Sequence, residues 1–347
     1  MGVVISPAVA ELYVQYSTGL MLVVGVITLI ATLLIRAPYG RYASRKWGPM
    51  FDARLAWFLQ ESPAFWVPQL VMYDQYLALG GMGELLRSLH PCAWILLLFF
   101  QLHYFQRAVI YPLCRMPASA TPVPLTVSML AFLFCLWNGL QQSLALVYVV
   151  KYDDSWMLGQ PFFRLGMTLA FLGMFLNIHS DSILLNLRNA GESAGGKATA
   201  STRYHLQSRE RSAFSSLISV VKRRIDGEQE RGRSRSPRPA NGARQRKRLG
   251  SPGTKAGGSS PKSAASEKEY KIPYGGLFEY TSAANLTAEI LEWGGFAIAA
   301  CSLPAAAFAW YTFSNIGPRG HHHHQWYLKK FGEAYPKHRK AVIPFIW

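Results

Sequence analysis

A short polar motif inside a long apolar run is the clearest candidate for chemistry in this sequence. The motif reads Asn177-Ile-His-Ser-Asp181. Its first and last residues are four apart, so on a helix they share one face. Polar groups left unpaired in hydrocarbon cost several kcal/mol, which means that these side chains need partners or a function. We therefore expect a polar site at one end of a membrane helix.

Further polar side chains lie near the ends of other apolar runs. Three of them, Asn285, Glu289 and Glu292, recur at the spacing of one helix face. The others are Gln60, Glu61, His103, Tyr104, Arg107, Arg188, Arg319, His321–His324 and Tyr327. Taken singly, each could cap a helix or anchor it to lipid headgroups. Taken together, they predict one pocket of cations, carboxylates and amides, which suits a phosphate-bearing ligand with a nucleotide end.

Two other residue types that could do chemistry do not form a convincing site. Zinc ligands on a helix need i, i+3 or i+4 spacing, and no cysteine or second histidine cluster accompanies His321–His324, so we expect no metal. The four cysteines have no C-x-x-C spacing and are expected to be small buried hydrophobes. They are Cys92, Cys114, Cys135 and Cys301. With no G-x-G-x-x-G motif after a strand, any dinucleotide must bind without a Rossmann fold.

The elements that must position these residues are long apolar segments. The chain has 347 residues, of which 50% are hydrophobic. About 20 residues span a bilayer, and five runs reach that length, with a weaker sixth at 64–80. The five are 12–35, 92–113, 122–150, 162–187 and 283–314. This pattern predicts an all-α integral membrane protein with several crossings.

Charge predicts how the chain is threaded through the membrane. Basic residues concentrate in the loop 36–63, after residue 113 and in 193–268, so these regions are expected in the cytosol and the N-terminus in the lumen. The C-terminal tail is also basic, which requires a further crossing after the insert. We therefore expect a seven-transmembrane helix bundle whose last crossing lies in the C-terminal part.

The segment 193–268 differs in composition from the rest of the chain. It carries 18 lysines and arginines against 5 acidic residues and holds most of the net charge of +17. Few residues there could build a core, so we expect a disordered, Arg/Ser-rich cytosolic insert. It could bind acidic partners, although no nucleic acid is expected. The predicted organisation is helices 1–5 in 1–192, the insert in 193–268, and a C-terminal membrane part in 269–347.

Several motifs occur together across nearly the whole chain outside the insert. They are Ala56-Trp-Phe-Leu-Gln-Glu61, His103-Tyr104-Phe-x-Arg107, Asn177-Ile-His-Ser-Asp181, Ile272-Pro-x-Gly-Gly-Leu-Phe-x-Tyr280, Asn285-x-x-x-Glu289-Ile-x-Glu-Trp293, His321 through Tyr327, and Arg339-Lys-Ala-x-Ile-Pro-Phe-Ile346. With these motifs the chain resembles the steroid 5α-reductases of the endoplasmic reticulum membrane. It departs from them in the insert, in Lys271 where an arginine is usual, and in one extra residue before Arg339.

The resemblance implies seven helices, a pocket open to the cytosol and NADPH as hydride donor. It implies that Glu61 and Tyr104 are the catalytic pair that holds the substrate carbonyl. The implied cofactor contacts are Asn177, Asp181, Arg188, Asn285, Arg319, His323 and Tyr327. The implied substrate-pocket residues are Trp57, Gln60, His103, Arg107 and Glu289, the last of which bridges towards the nicotinamide.

The implied reaction is reduction of the C4=C5 bond of a 3-oxo-4-ene steroid or related sterol that enters from the bilayer, where lipid surrounds the protein. Related branches reduce polyprenols or very-long-chain enoyl-CoA, and these substrates remain open. A transporter or receptor that binds a solute with the same polar residues is an alternative from another class. So are an integral-membrane methyltransferase and a membrane anchor for the basic insert. The first alternative would be supported by inverted repeats, which the two halves of the chain do not display.

Overall fold

The computed structural model describes residues 5–153, 161–195 and 270–347, with the backbone alone for 188–195. Of these, residues 5–153, 161–189 and 271–347 belong to one compact unit. The insert from residue 196 onwards and the side chain of Arg188 lie outside the described residues. The α-helices of the described part are α1 Pro7–Leu34, α2 Ala53–Leu79, α3 Met82–Ser88, α4 Pro91–Phe105, α5 Leu125–Leu144, α6 Pro161–Gly195, α7 Ala284–Ala300 and α8 Leu303–Phe331.

The described part of the chain is mostly helical, as expected, and four of its helices are long and apolar enough to cross a membrane. Two of the four continue beyond their α-helical part as π-helix, α4 through Gln106–Arg115 and α5 through Ala145–Val149. The four segments are Pro7–Leu34, Pro91–Arg115, Leu125–Val149 and Pro161–Leu187. An apolar surface on these helices suits lipid rather than water. The number of seven crossings stays a prediction.

Helix α2 begins earlier than the apolar run suggests. The Asp52 side chain accepts hydrogen bonds from the backbone N–H groups of Arg54 and Leu55, both at 3.0 Å, and so caps the helix. The expectation that a loop extends to residue 63 is therefore wrong, since it ends at Asp52. Gln60 and Glu61 consequently lie two turns inside α2 rather than at its start.

The apolar run 283–314 forms two helices rather than one. Helix α7 ends at Ala300, and Cys301 then adopts a left-handed conformation with φ of 44°. Helix α8 begins two residues later with Pro304 in its first turn, where a missing N–H costs nothing. The C-terminal part thus supplies two helices rather than one, and the further crossing expected there stays a prediction.

Three glycines let α6 and α7 cross with backbone against backbone. A Cβ on Gly173 would overlap the backbone of Glu292, and one on Gly166 would overlap that of Ala299. From the opposite helix, a Cβ on Gly295 would overlap the backbone of Ala170. Small residues at a crossing permit this close approach in membrane helices. The crossing brings the polar ends of α6 and α7 side by side.

Aromatic side chains fill the space between α4, α7 and α8. Trp293 is fully buried, with its ring centroid 5.8 Å from Phe100 and 4.4 Å from Phe308. The ring of His103 lies 4.5 Å from the same tryptophan. This packing fixes the rotation of α4, so that His103 and Tyr104 are buried.

The described residues also contain one small antiparallel sheet, which the sequence pattern does not indicate. Strand β1, Met50–Phe51, pairs with β2, Val123–Pro124, and links the loop before α2 to the start of α5. All four cysteines are free. Their expected burial is confirmed for Cys92 and Cys135 and wrong for Cys114 and Cys301, which are exposed.

Candidate functional site

A buried ion-pair cluster joins the end of α4 to α6 and α7. Arg107, in the π-helical continuation of α4, places its Nη1 2.9 Å from Asp181 Oδ2 on α6. Its Nη2 lies 3.7 Å from Glu289 Oε2 on α7. Because burial makes a lone charge costly, the one guanidinium and two carboxylates depend on one another.

Two amides complete this cluster across the α6–α7 crossing. Asn177 Nδ2 donates to the backbone carbonyl of Asn285 at 3.0 Å and lies 3.4 Å from Glu289 Oε2. Asn285 Nδ2 donates to Asp181 Oδ1 at 3.1 Å. The expected common face of Asn177 and Asp181 is thus turned towards α7. Five of the residues predicted for the pocket form one hydrogen-bonded network.

Glu61 and Tyr104 come from different helices and both contact α5. Cys135 Sγ donates to Glu61 Oε2 at 3.6 Å, and Asn138 Nδ2 donates to the Tyr104 hydroxyl oxygen at 3.3 Å. Cys135 and Asn138 are three residues apart and therefore neighbours on one helix face. Helix α5 thus brings the two groups expected to hold a carbonyl to one place.

Tyr39, in the loop before α2, connects this region to the ion-pair cluster. Its hydroxyl accepts from Gln60 Nε2 at 2.9 Å, and its ring lies 5.4 Å from that of Trp57. The Arg107 guanidinium carbon lies 5.1 Å from the centroid of the same Trp57 ring. Burial raises the pKa of Tyr39 above its usual value, so the phenol stays neutral.

Arg319 on α8 stacks on an aromatic ring of the loop before α2. Its guanidinium carbon lies 5.3 Å from the centroid of the Tyr39 ring. In the ranges that the structure covers, no carboxylate lies within salt-bridge distance of this guanidinium. A half-buried arginine that stacks on a neutral ring keeps its hydrogen-bond donors for a ligand such as a phosphate.

The other two residues predicted on α8 contact the loop between α1 and α2. Arg41 Nη2 donates to the Tyr327 hydroxyl oxygen at 3.4 Å, and its guanidinium carbon lies 3.9 Å from the centroid of Trp326. The ring of Tyr42 lies 5.9 Å from that of His323. The loop therefore covers the part of α8 where cofactor contacts are expected.

His103 has a partner that the sequence analysis noted but did not assign. Its Nδ1 lies 2.6 Å from Glu292 Oε1, and the Glu292 side chain is fully buried. His103 is therefore paired away from the Arg107 cluster. The available signal was the i, i+3 spacing of Glu289 and Glu292, which places both acids near one face of α7.

Sequence reasoning also missed Asn138 and Cys135. The signal for Asn138 was a polar residue deep in the run 122–150, followed by Gln142 at helical spacing.

Two residues predicted for the substrate pocket, Arg107 and Glu289, contact residues predicted for the cofactor site. The two predicted sets therefore share one network. Across the described ranges, no group of three or more metal-ligating side chains is close enough to hold an ion.

Comparison with known proteins adds the family. Residues 121–206 and 261–347 match the family model described as 3-oxo-5-alpha-steroid 4-dehydrogenase. The bovine 3-oxo-5-alpha-steroid 4-dehydrogenase 1 is 34% identical over 93% of this chain and 92% of its own length. The human 3-oxo-5-alpha-steroid 4-dehydrogenase 2 is 35% identical over 85% of this chain and 81% of its own. The chain therefore belongs to the steroid 5α-reductases, which are oxidoreductases that act on CH–CH bonds.

Proposed function

We propose that this protein reduces the C4=C5 bond of 3-oxo-4-ene steroids, or of related sterols, with NADPH. The observation that carries the proposal is the convergence of Glu61 and Tyr104 on one face of α5, through Cys135 and Asn138. Two potential donors from separate helices at one place suit a single carbonyl oxygen. Relatives named 3-oxo-5-alpha-steroid 4-dehydrogenases, matched over most of the chain, support this substrate class.

The proposed chemistry depends on polarising the 3-keto oxygen. An isolated C=C bond does not accept hydride, whereas one conjugated to a carbonyl does so at its β carbon, C5. The Tyr104 hydroxyl donates a hydrogen bond to the keto oxygen, and Glu61 donates a second when it carries a proton. Both bonds strengthen as enolate charge develops on that oxygen, which is electrostatic stabilisation in a water-poor site. Protonation at C4 completes the saturation.

The donor set described above fits NADPH. Arg319 supplies a cation that has no carboxylate partner among the described residues, and the α6–α7 network supplies two amides and a carboxylate. When bound, NADPH supplies the hydride. The residues proposed to hold it are Asn177, Asp181, Arg188, Asn285, Arg319, His323 and Tyr327.

Arg107 and Glu289 have a shared role in this proposal. Arg107 pairs with both Asp181 and Glu289 and offsets part of their negative charge, which lowers the cost of burying two acids next to the proposed cofactor residues. Glu289 also accepts from Asn177 and thereby orients that amide. Trp57, Gln60 and His103 complete the proposed pocket wall, since each packs against Tyr39, Arg107 or Tyr104.

The setting that goes with this function is the endoplasmic reticulum membrane. We propose seven crossings, a lumenal N-terminus, and a cytosolic insert and C-terminus. The substrate is apolar and dissolves in the bilayer, so it reaches the site between helices, while the cofactor comes from the cytosol. Four apolar helices of the described part, each long enough to cross a membrane, support the membrane location.

Product analysis by mass spectrometry tests the function. Membranes that contain the protein are incubated with NADPH and a panel of 3-oxo-4-ene steroids, a polyprenol and an enoyl-CoA. We expect a mass gain of two hydrogens on a steroid, and far slower formation of that product with Tyr104→Phe and Glu61→Gln. Tyr104→Phe removes the hydroxyl donor, and Glu61→Gln replaces the carboxylic acid proton by a weaker amide donor; each keeps the shape of the side chain.

The other outcomes separate the parts of the proposal. A product from the polyprenol or the enoyl-CoA alone would retain the chemistry and replace the substrate. Full turnover by both variants would show that the carbonyl is held by other groups. No turnover of any substrate, together with no NADPH binding to well-folded protein, would overturn the enzyme assignment and favour binding or transport.

A further inference from the structure

A line of buried amides on α5 leads from the start of α8 to the Tyr104 hydroxyl. Gln142 Nε2 lies 3.1 Å from the backbone carbonyl oxygen of Pro304 and 3.3 Å from Asn138 Oδ1. Asn138 Nδ2 in turn lies 3.3 Å from the Tyr104 oxygen. All three side chains are buried, with exposures of 2%, 0% and 4% for Gln142, Asn138 and Tyr104.

The Pro304 carbonyl fixes the direction of every hydrogen bond in this line. A backbone carbonyl can only accept, so the Gln142 atom that faces it must be the NH₂ nitrogen. The second hydrogen of that nitrogen faces Asn138, whose facing atom must then be its oxygen. The NH₂ group of Asn138 is therefore turned to Tyr104. No amide can flip without leaving two donors or two acceptors face to face.

This polarity determines what the Tyr104 hydroxyl can do. Its oxygen accepts from Asn138, so its own hydrogen is not used in that bond. Among the described residues no other side chain or carbonyl accepts from it. The hydrogen of Tyr104 remains available to an acceptor that enters the site. The bond that Tyr104 accepts from Asn138 also polarises the hydroxyl. Because chains of hydrogen bonds are cooperative, the bond that the hydroxyl hydrogen donates becomes stronger.

We propose that Asn138 and Gln142 are positioning residues that hold Tyr104 as a hydrogen-bond donor to the steroid 3-keto oxygen. This inference rests on the proposed function, in which Tyr104 polarises that oxygen. Asn138 acts on the tyrosine directly, and Gln142 acts by fixing the orientation of the Asn138 amide. Neither residue touches the substrate carbonyl, so their effect on the reaction passes through Tyr104.

Helix α5 offers a matched control in the neighbouring residue. Gln141 is as buried as Gln142 and also bonds to another helix, because its Oε1 accepts from Ser17 on α1. Its hydrogen bonds go to Ser17 and Met21, and none joins it to Asn138 or Tyr104 among the described residues. Gln141→Leu and Gln142→Leu therefore remove the same group from the same helix, and only the second breaks the line to Tyr104.

The experiment measures kcat and KM for a 3-oxo-4-ene steroid in purified full-length variants, with Tm as a check on folding. We expect Asn138→Leu to lower kcat about tenfold, the value of one hydrogen bond of ordinary strength, with little change in KM. Gln142→Leu is expected to lower kcat by a smaller factor, and Gln141→Leu to leave it unchanged. Equal losses from the two glutamine variants would overturn the inference.

The Tyr104→Phe background shows whether the effect passes through the hydroxyl. There, product formed over long incubations is expected to be the same with Asn138 and with Leu at that position, because no hydroxyl remains to be oriented. A further tenfold loss in that background would mean that Asn138 acts through the general structure, and would overturn the inference. Full activity of Tyr104→Phe alone would instead overturn the proposed role of Tyr104, and the inference with it.

Discussion

At the scale of single residues, Arg319 allows the cofactor assignment to be tested by binding alone. Its guanidinium has no carboxylate partner among the described side chains, so removing it leaves no buried acid unpaired. We expect Arg319→Met to weaken NADPH binding about 10- to 100-fold, as for loss of a charged hydrogen bond. The measurement is equilibrium binding followed by nicotinamide fluorescence in detergent.

The control for this prediction removes the same charge elsewhere. Arg54 lies at the start of α2 with an exposed side chain near Asp52. Arg54→Met is expected to leave the Kd for NADPH unchanged. If Arg319→Met also left it unchanged, the anion would have to be held by other residues, and the cofactor pocket would need to be placed differently.

The main effect expected from removing Arg107 is a loss of folding stability rather than of ligand binding. It pairs with both Asp181 and Glu289 inside the helix bundle. Breaking a buried pair costs about 3–5 kcal/mol because the partner charge stays buried, so Arg107→Met should lower the free energy of unfolding strongly. Thermal unfolding in detergent measures this, with Lys337→Met as the control, since the Lys337–Glu333 pair is exposed. An unchanged Tm for Arg107→Met would contradict this account.

Sequence reasoning located many of these residues but could not pair them. Motifs implied Glu61 and Tyr104 as a pair, whereas nothing in the sequence indicates that α5 supplies the contact to each. Spacing placed Asn177 and Asp181 on one face, and the structure turns that face to α7. The partners lie between 34 and 108 residues away in the chain. The period of the apolar pattern and the composition carry no information on such contacts.

At the scale of elements, the α6–α7 crossing is the contact on which the ion-pair cluster depends. Gly295 lies in that crossing, and a Cβ there would overlap the backbone of α6. We expect Gly295→Ala to destabilise the protein by about 1–3 kcal/mol, as overpacking does, and to lower activity by separating the two helices. The measurements are Tm in detergent and steroid turnover.

The neighbouring residue supplies the control for this prediction. A Cβ on Gly294 would have no heavy atom within 4 Å. Gly294→Ala is therefore expected to leave Tm unchanged or to raise it slightly, because alanine favours the helix. Equal effects of the two substitutions would mean that helix propensity, rather than the crossing, determines the stability of α7.

The boundaries of elements were predictable only where a local signal marks them. Helix α2 was expected to start late because Arg54, Gln60 and Glu61 interrupt the apolar pattern, although Asp52 is a good capping residue. The break between α7 and α8 has no glycine or asparagine at its end, and a left-handed Cys301 is uncommon. Pro304 was the available sign of a helix start.

At the scale of the whole molecule, the helical unit is expected to work without the basic insert. The family model matches residues on either side of its middle part, at 121–206 and 261–347. We expect a chain in which a short Gly/Ser linker replaces 196–268 to keep steroid turnover within a few-fold of the full chain. A linker of the original length serves as the control. Loss of activity in both chains, with normal Tm, would assign the insert a role in catalysis.

Fold class is the property that composition predicted best. Long apolar runs imply membrane helices because a bilayer requires all backbone groups to be paired within a segment. That argument holds for the four apolar helices of the described part. It is weaker for α2, α7 and α8, whose polar residues belong to the site and lower the apolar character by which such helices are recognised.

The two-residue turn between α7 and α8 has a consequence for biosynthesis. Neither helix is among the four apolar ones, and they carry Glu289, Glu292 and Arg319. In the proposed arrangement of seven crossings, two residues leave no length for separate insertion, and the pair enters the bilayer as one hairpin. It can do so at low cost only once Arg107 and His103 are already there to pair with Glu289 and Glu292. The ribosome makes the chain in that order, so the earlier helices are present before the last two pack against them.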